Sequence, residues 1–313
     1  MSRDRIFGLG AAVAVVALTF ALEPKLARGV LSLAFVQATL VTAVPYVLAA
    51  LGGAITERAG VIDLALEAKL LFGAFAAAAV AYATDSAYLG VAGGALAGMA
   101  IAALQLGCAL RLGADQVIVG VALNLLALGG TRFLLQALFG EGANSPPCPG
   151  FGDAILANPI VWIAVLASIG VPVAVARTRW GLRLRAAGDR PDALVAVGVA
   201  PSAARFAAGL AGGALAGAGG AQLSLSVDGF VADVSAGRGY IVLAMIILAG
   251  WRPAWAAVAC VGIAAAEAVN VQLQITNSVV PRDLAPLLPY VLTLAVLVVA
   301  GGRRPPPGSL GRV

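Results

Sequence analysis

The chain has 313 residues, of which 61% are hydrophobic and 11% charged, with a net charge of +5. A soluble domain carries about 25% charged residues; this chain has too little polar surface to cover a water-soluble globule, and its mean hydropathy of +0.98 marks an integral membrane protein. Histidine is absent and Cys108, Cys148 and Cys260 have no metal-ligand spacing, so neither a metal site, a resident cofactor nor His-based catalysis is expected.

Apolar runs of about 20 residues, the length a helix needs to cross a bilayer, recur along the chain without the strict alternation of barrel strands. The expected fold is all-α: one transmembrane domain over residues 1–313, a polytopic bundle of about ten helices. The spans fall near 6–22, 30–54, 64–83, 87–110, 117–139, 159–176, 206–224, 239–251, 254–270 and 285–302. The first has a basic start (Arg3, Arg5) but no prompt small-x-small site, and reads as an uncleaved helix. The eighth is too short to cross unaided and ends at Trp251-Arg252-Pro253; it either pairs with a re-entrant segment or forms one broken hairpin with the ninth.

With the amino terminus inside, about fifteen Lys and Arg fall on cytoplasmic segments, Arg58, Lys69 and Arg205 among them, against four outside: Lys25, Arg28, Arg238 and Arg282. This positive-inside bias places both termini in the cytoplasm and accounts for the basic balance without nucleic acid. Trp180, Trp251 and Trp255 fall at inner boundaries, and Tyr82, Tyr88, Trp162 and Tyr240 at outer ones. The largest outside loop, Gly140 to Asn158, has no room for an ectodomain.

Two charged interruptions stand out. In ITERAGVIDLALEAKLLFGA, Ile55 to Ala74, five charges crowd into twenty residues: Glu57, Arg58, Asp63, Glu67 and Lys69. Gly60 suits a helix break. Asp63 and Glu67, four apart on a continuing helix, would share a face and need a compensating cation from Lys69, Arg58 or a partner. The stretch is either a solvated cytoplasmic turn or a partly buried element bordering a pathway, since charges beside apolar sequence are costly unless satisfied. The second interruption is the long loop 177–205. Its core GDRPDALVAVGV holds a short helix starting at Pro191 and stopped at Gly198, with Ala193, Leu194 and Val197 as an apolar face.

Gly90, Gly94 and Gly98, and again Gly209, Gly213 and Gly217, recur at intervals of four, which lets another backbone approach closely. Asn124, Arg132, Glu267 and Asn270 fall within spans, where polar groups are functional suspects. Asn124, Glu267 and Glu67 are candidates for a substrate pathway, with a helix–helix hydrogen bond as the favoured reading of Asn124. Glu267 and Asn270 lie near a span end where both can reach water, and Arg132 can snorkel.

Arg185-Ala-Ala-Gly188-Asp189-Arg190-Pro191-Asp-Ala193, followed by Gly198-Val199, resembles the R-A-V-G-E-N-P-x-A-A…G-I motif in permeases of ABC importers. The branch concerned includes simple-sugar, nucleoside and branched-chain amino acid permeases. Here Asp stands for Glu and Arg for Asn. Three further stretches resemble the same family in the same order. Ile55 to Leu64, with Glu67, resembles I-T-E-R-x-G-V-x-N-L-G-x-E-G, with Ala65 and Ala68 in place of glycines. Gly237 to Ile241 with Gly250-Trp251-Arg252-Pro253 resembles G-R-G-F-I…G-G-W-x-P. Leu288 to Leu294 resembles L-P-Y-V-L-T-L. Together they favour the nucleoside-type permeases.

The resemblance implies a type II-like importer permease in a bacterial inner membrane that moves a nucleoside or related small polar solute. It implies that Gly188, Asp189, Arg190, Pro191, Ala193 and Gly198 form the coupling element that docks on the ATPase. Glu57, Arg58, Gly60 and Asp63 form a signature turn at the cytoplasmic side. The chain has no Walker A loop, since neither Lys25 nor Lys69 follows a Gly-rich loop, so it is not expected to be an enzyme. The implied partners are a separate ATP-binding subunit, a second permease chain related to this one, and an extracytoplasmic binding lipoprotein, with lipid around them. The alternatives are an ion-gradient-driven secondary transporter, or an ABC permease for sugars or branched-chain amino acids.

Overall fold

The computed structural model describes residues 33–152, 158–275 and 305–312. The expected spans at 6–22 and 285–302 and the Leu288–Leu294 stretch lie outside the described residues. Ten α-helices follow in order: α1 Leu33–Arg58, α2 Leu66–Thr84, α3 Ala87–Leu106, α4 Gln116–Phe139, α5 Pro159–Arg177, α6 Arg179–Asp189, α7 Pro191–Ala196, α8 Pro201–Leu225, α9 Arg238–Leu248 and α10 Pro253–Ile275. A π-helical turn, Gly107–Arg111, prolongs α3. Among the described residues the sole β pairing is an isolated bridge between Asn144 and Val231.

Six of these helices are long and apolar enough to cross a membrane: α1, α2, α3 with its π turn, α4, α5 and α10. Helix α8 matches them in length at 25 residues, but six glycines dilute its apolar character. Helix α9, at 11 residues, is the short eighth element expected from sequence.

Local chemistry sets the boundaries. Asp115 caps α4 by accepting from the N–H groups of Val117 and Ile118, Asn158 caps α5 through Ile160 N–H, and Thr178 caps α6 through Gly181 N–H. Pro159, Pro191, Pro201 and Pro253 each open a helix, where a missing N–H costs nothing. Gly60, at φ +98°, ends the turn after α1 in a conformation that a side chain would strain.

Helix α8 is the hub, packed closely against α1, α2 and α3. The two glycine series read from sequence meet each other there. A Cβ at Gly213 would lie 2.5 Å from Gly98 O, and one at Gly98 would lie 2.6 Å from Gly217 Cα; at Gly94 it would lie 2.8 Å from Gly73 O. Bare backbone on both sides lets the helix axes approach closely, and dispersion then replaces side-chain interlocking.

Between α8 and α9 the chain turns back into the bundle. Phe230 packs edge-on against Phe75 of α2 at 5.5 Å. Asp233 pairs with Arg132, and Ser235 reaches Glu67, eight residues before Phe75 and hence about 12 Å along α2. Residues 226–237 therefore descend into the interior, and α9 starts there. The short eighth element thus follows a stretch that folds back into the bundle, and it also turns through residues 249–252 onto α10, which it contacts, as a broken hairpin would.

Candidate functional site

The charged turn after α1 is buried. Glu57 is 2% exposed, Glu67 4%, and Asp63 and Lys69 0%, so the solvated-turn reading fails and Lys69 does not belong among the solvated cytoplasmic cations. Lys69 Nζ donates to Asp63 Oδ1 at 2.5 Å. An enclosed charge is tolerable only when paired in this way. Asp63 and Glu67 do not share a helical face as the spacing suggested, because α2 begins only at Leu66. Asp63 stays in the irregular stretch, where Lys69 neutralises it, and Glu67 faces elsewhere.

That stretch is held on three sides. Glu57 Oε2 accepts from Trp251 Nε1 at 2.6 Å and Oε1 from Asp63 N–H at 3.3 Å. Gln116 Oε1 accepts from Ile62 N–H at 2.7 Å, and Gln105 Nε2 donates to Ile62 O at 3.1 Å. Trp251, 7% exposed, is thus covered by protein, and its indole N–H has the buried acceptor it needs.

Glu67 receives the start of α9. Its carboxylate accepts from Ser235 Oγ at 2.6 Å, Gly237 N–H at 2.8 Å and Gly239 N–H at 2.7 Å. A carboxylate at a helix N-terminus meets both unpaired N–H groups and the positive dipole end. Only glycine fits at 239, where a Cβ would lie 2.6 Å from Glu67 Cα. Because Trp251 follows the end of α9 and Gly239 opens it, Glu57 and Glu67 flank a helix about 16 Å long. Glu67 therefore lies well inside the bundle relative to Glu57.

Asn124 of α4 braces the same point. Its Oδ1 accepts from Ala68 N–H at 3.0 Å, and its Nδ2 donates to Leu64 O at 2.9 Å and to Tyr240 Oη at 3.1 Å. Tyr240, half exposed, thus also has a hydrogen-bond partner on α4. Glu267 stands apart, paired with Arg238 at 2.7 Å, with that guanidinium over the Tyr46 ring at 5.8 Å. Both carboxylate and cation are about four-fifths covered. Glu267 thus has an intramolecular cation where open water was expected, Arg238 is no solvated outside charge, and Asn270, 8% exposed, is buried as well. Arg132 pairs with Asp233 in addition to reaching the surface. The re-entrant segment is therefore clasped by Arg132 on one side, Glu67 at its tip and Glu267 on the other.

At the end of the bundle where α1 stops, helices α6 and α7 break at Arg190. Gly188 packs against the α1 terminus, where a Cβ would lie 3.2 Å from Ala59 C, and Arg58 lies 3.8 Å from Asp189. The turn after α1 and the end of α6, the stretches expected to be the signature turn and the start of the coupling element, are thus in contact. Arg190, Ala193 and Gly198 point away and are exposed; Gly198 at φ +73° stops α7 as expected. Of the expected apolar face only Leu194 is buried, at 5%, while Val195 and Val197, with Leu182 of α6, are 63%, 71% and 61% exposed. In the loop after α4, Cys148 is buried, and that burial, with the nearby Asp228 carboxylate, pushes its thiol pKa up.

Sequence reasoning missed Gln105, Gln116, Ser235 and Arg205 as parts of this arrangement. The available signal was polar side chains at the rims of apolar spans, which composition alone leaves indistinguishable from solvated ones. Among the described residues no group of His, Cys, Asp and Glu is placed to hold a metal ion.

A family model described as branched-chain amino acid transport system / permease component matches residues 35–300. A guanosine ABC transporter permease protein of Bacillus subtilis is 28% identical over 301 residues, covering 88% of this chain and 94% of the relative. A putative glucose ABC transporter permease protein of Haloferax volcanii is 32% identical, covering 84% and 90%. A nucleoside ABC transporter permease protein of Lactococcus lactis is 30% identical, covering 87% and 93%. No solved structure matches the chain.

Proposed function

Because this multi-pass membrane protein belongs to the family of branched-chain amino acid transport system permease components, the ABC importer permeases whose motifs it resembles, we propose that it moves a nucleoside or related small polar solute inward on ATP hydrolysed by a separate subunit. Two of the similar permeases are named for guanosine or nucleoside and one for glucose, so sugar is the second reading of the substrate. The carrying observation is at the α1 terminus. There a short helix pair projects exposed apolar side chains, Leu182, Val195 and Val197, while its root packs on the signature turn. An apolar patch on a short helix suits a groove in a partner protein.

In this reading that end faces the cytoplasm, both termini lie there, and the whole chain is one permease domain of about ten spans with a type II-like arrangement in a bacterial inner membrane. A second, related permease chain completes the path, an extracytoplasmic lipoprotein delivers solute, and lipid covers the remaining surface. Gly188 and Asp189 root the coupling element, and Arg190, Pro191, Ala193 and Gly198 shape its exposed arm. Glu57, Arg58, Gly60 and Asp63 receive its motion. Asn124 and Glu67 border the path by fixing the start of α9, and Glu267 borders it beside Arg238.

Co-purification with the ATPase tests this. Val195→Asp puts a charge into the docking patch without touching the buried core and is expected to lower ATPase retention about tenfold, the weight of one desolvated interface side chain. Retention equal to that of the unaltered chain would contradict the assignment.

A further inference from the structure

The segment 305–312 is absorbed neither by the family's motifs nor by the site above, yet it is docked. Ser309 is 7% exposed. Its N–H donates to Gly188 O at 2.8 Å, and its hydroxyl lies 2.9 Å from Ala187 O and 2.8 Å from Gly188 O. Two residues on, Gly311 N–H donates to Gly60 O at 3.1 Å. One short turn thus bonds to the root of the coupling element and to the signature turn at once. Pro305, Pro306 and Pro307 lead into it, and their fixed φ limits the freedom that docking must remove.

Arg205, in the first turns of α8, completes the junction. It is 6% exposed. Its Nε donates to Ala59 O at 3.3 Å, and its Nη2 to Ala187 O at 3.3 Å and to Ser309 Oγ at 3.2 Å. Ala59 follows the last residue of α1, and Ala187 lies in the last turn of α6. The cation therefore sits where the negative ends of two helices converge, and its fork satisfies carbonyls left free there. Arg205 carries this contact into α8, the hub that packs on α1, α2 and α3.

We propose that residues 307–311 form a strap which, with Arg205, locks the coupling element to the signature turn and to α8, so that displacement imposed at α7 reaches the core helices instead of rocking α6–α7 alone. Ser309 and Arg205 are positioning residues in this scheme, which rests on the ATP-coupled reading above. A hinge with one tie removed still binds its partner but transmits less of the movement.

The test uses the assembled complex in proteoliposomes, with labelled nucleoside uptake and ATP hydrolysis measured together. Ser309→Ala, and a chain ending at residue 304, are expected to retain the ATPase and hydrolyse ATP, while uptake per ATP falls about fivefold, the weight of one hydrogen bond. Ser309→Thr keeps the hydroxyl and is expected to restore the ratio. An unchanged ratio in both altered chains would overturn the strap. So would loss of ATPase retention in Ser309→Ala, which would place the segment in the docking surface itself. If the unaltered complex shows no ATP-driven uptake, the functional reading fails, and hydrogen exchange on the isolated chain then decides the strap. Amides of 58–63 and 187–190 should exchange about tenfold faster in the shortened chain; equal rates would overturn the tie.

Discussion

Glu67 shows how one side chain organises a membrane interior. It accepts three hydrogen bonds from the chain that leads into α9, and it is 4% exposed. Glu67→Ala is expected to cost about 2 kcal/mol, several such bonds at the modest value each holds in a bilayer, and Glu67→Gln about half as much. Thermal unfolding in detergent checks both, and equal stability of all three chains would show that the start of α9 does not depend on this carboxylate. Cys148 gives a second residue-scale prediction. Its thiol is enclosed and its pKa raised by burial and by Asp228, so little thiolate is present near neutrality. Maleimide labelling of Cys148 is expected to run at least about tenfold slower in the folded chain than after denaturation, as read by mass spectrometry of the labelled peptide.

At the scale of elements, the sequence was informative wherever a local rule sets the structure. Gly60 and Gly198 stop helices, Pro191 opens one, and spacing of four between glycines gives the α3–α8 crossing. Partners distant in sequence were not legible. Trp251 meets Glu57 across 194 positions and Gly239 meets Glu67 across 172. Lys69 therefore passed for a solvated cation, and the burial of Trp251 was not foreseen, because a charge or ring at a span rim looks the same in sequence whether water or protein covers it. The stretch 226–237 carries no periodicity of its own; it is held by Glu67 and Phe75 of α2, Arg132 of α4 and the backbone of residues 143–148. The crossing itself is testable. Gly217→Leu forces a side chain into the Gly98 backbone, since even a Cβ would lie 2.9 Å from Gly98 Cα, and is expected to cost about 3 kcal/mol by overpacking. Gly129→Ala, with open space at that position inside α4, is expected not to lower stability and to raise it by up to about 1 kcal/mol. A melting temperature equal to the unaltered chain's in Gly217→Leu would contradict close backbone contact.

For the whole molecule, polarity is arranged in two tiers joined by α9. One tier, at the end of α1, holds the turn 57–63, helices α6 and α7 and Trp251. The other, about 16 Å further along, holds Glu67, Asn124 and the re-entrant tip, clasped by Arg132 and Glu267. Under the proposed function, a push at the first tier would reach the second through α9, α8 and the chain from Glu57 to Glu67. An ion-driven carrier would need a titratable group free to bind and release its ion within the membrane; Glu267, a carboxylate within a span, is already paired with Arg238. The most direct measurement is uptake of a labelled nucleoside into proteoliposomes carrying this chain, with or without its ATPase and second permease, driven either by ATP or by an imposed sodium or proton gradient. Accumulation with the full complex and ATP, and none with the isolated chain under either gradient, is the predicted result. Accumulation by the isolated chain on a gradient alone would contradict the account.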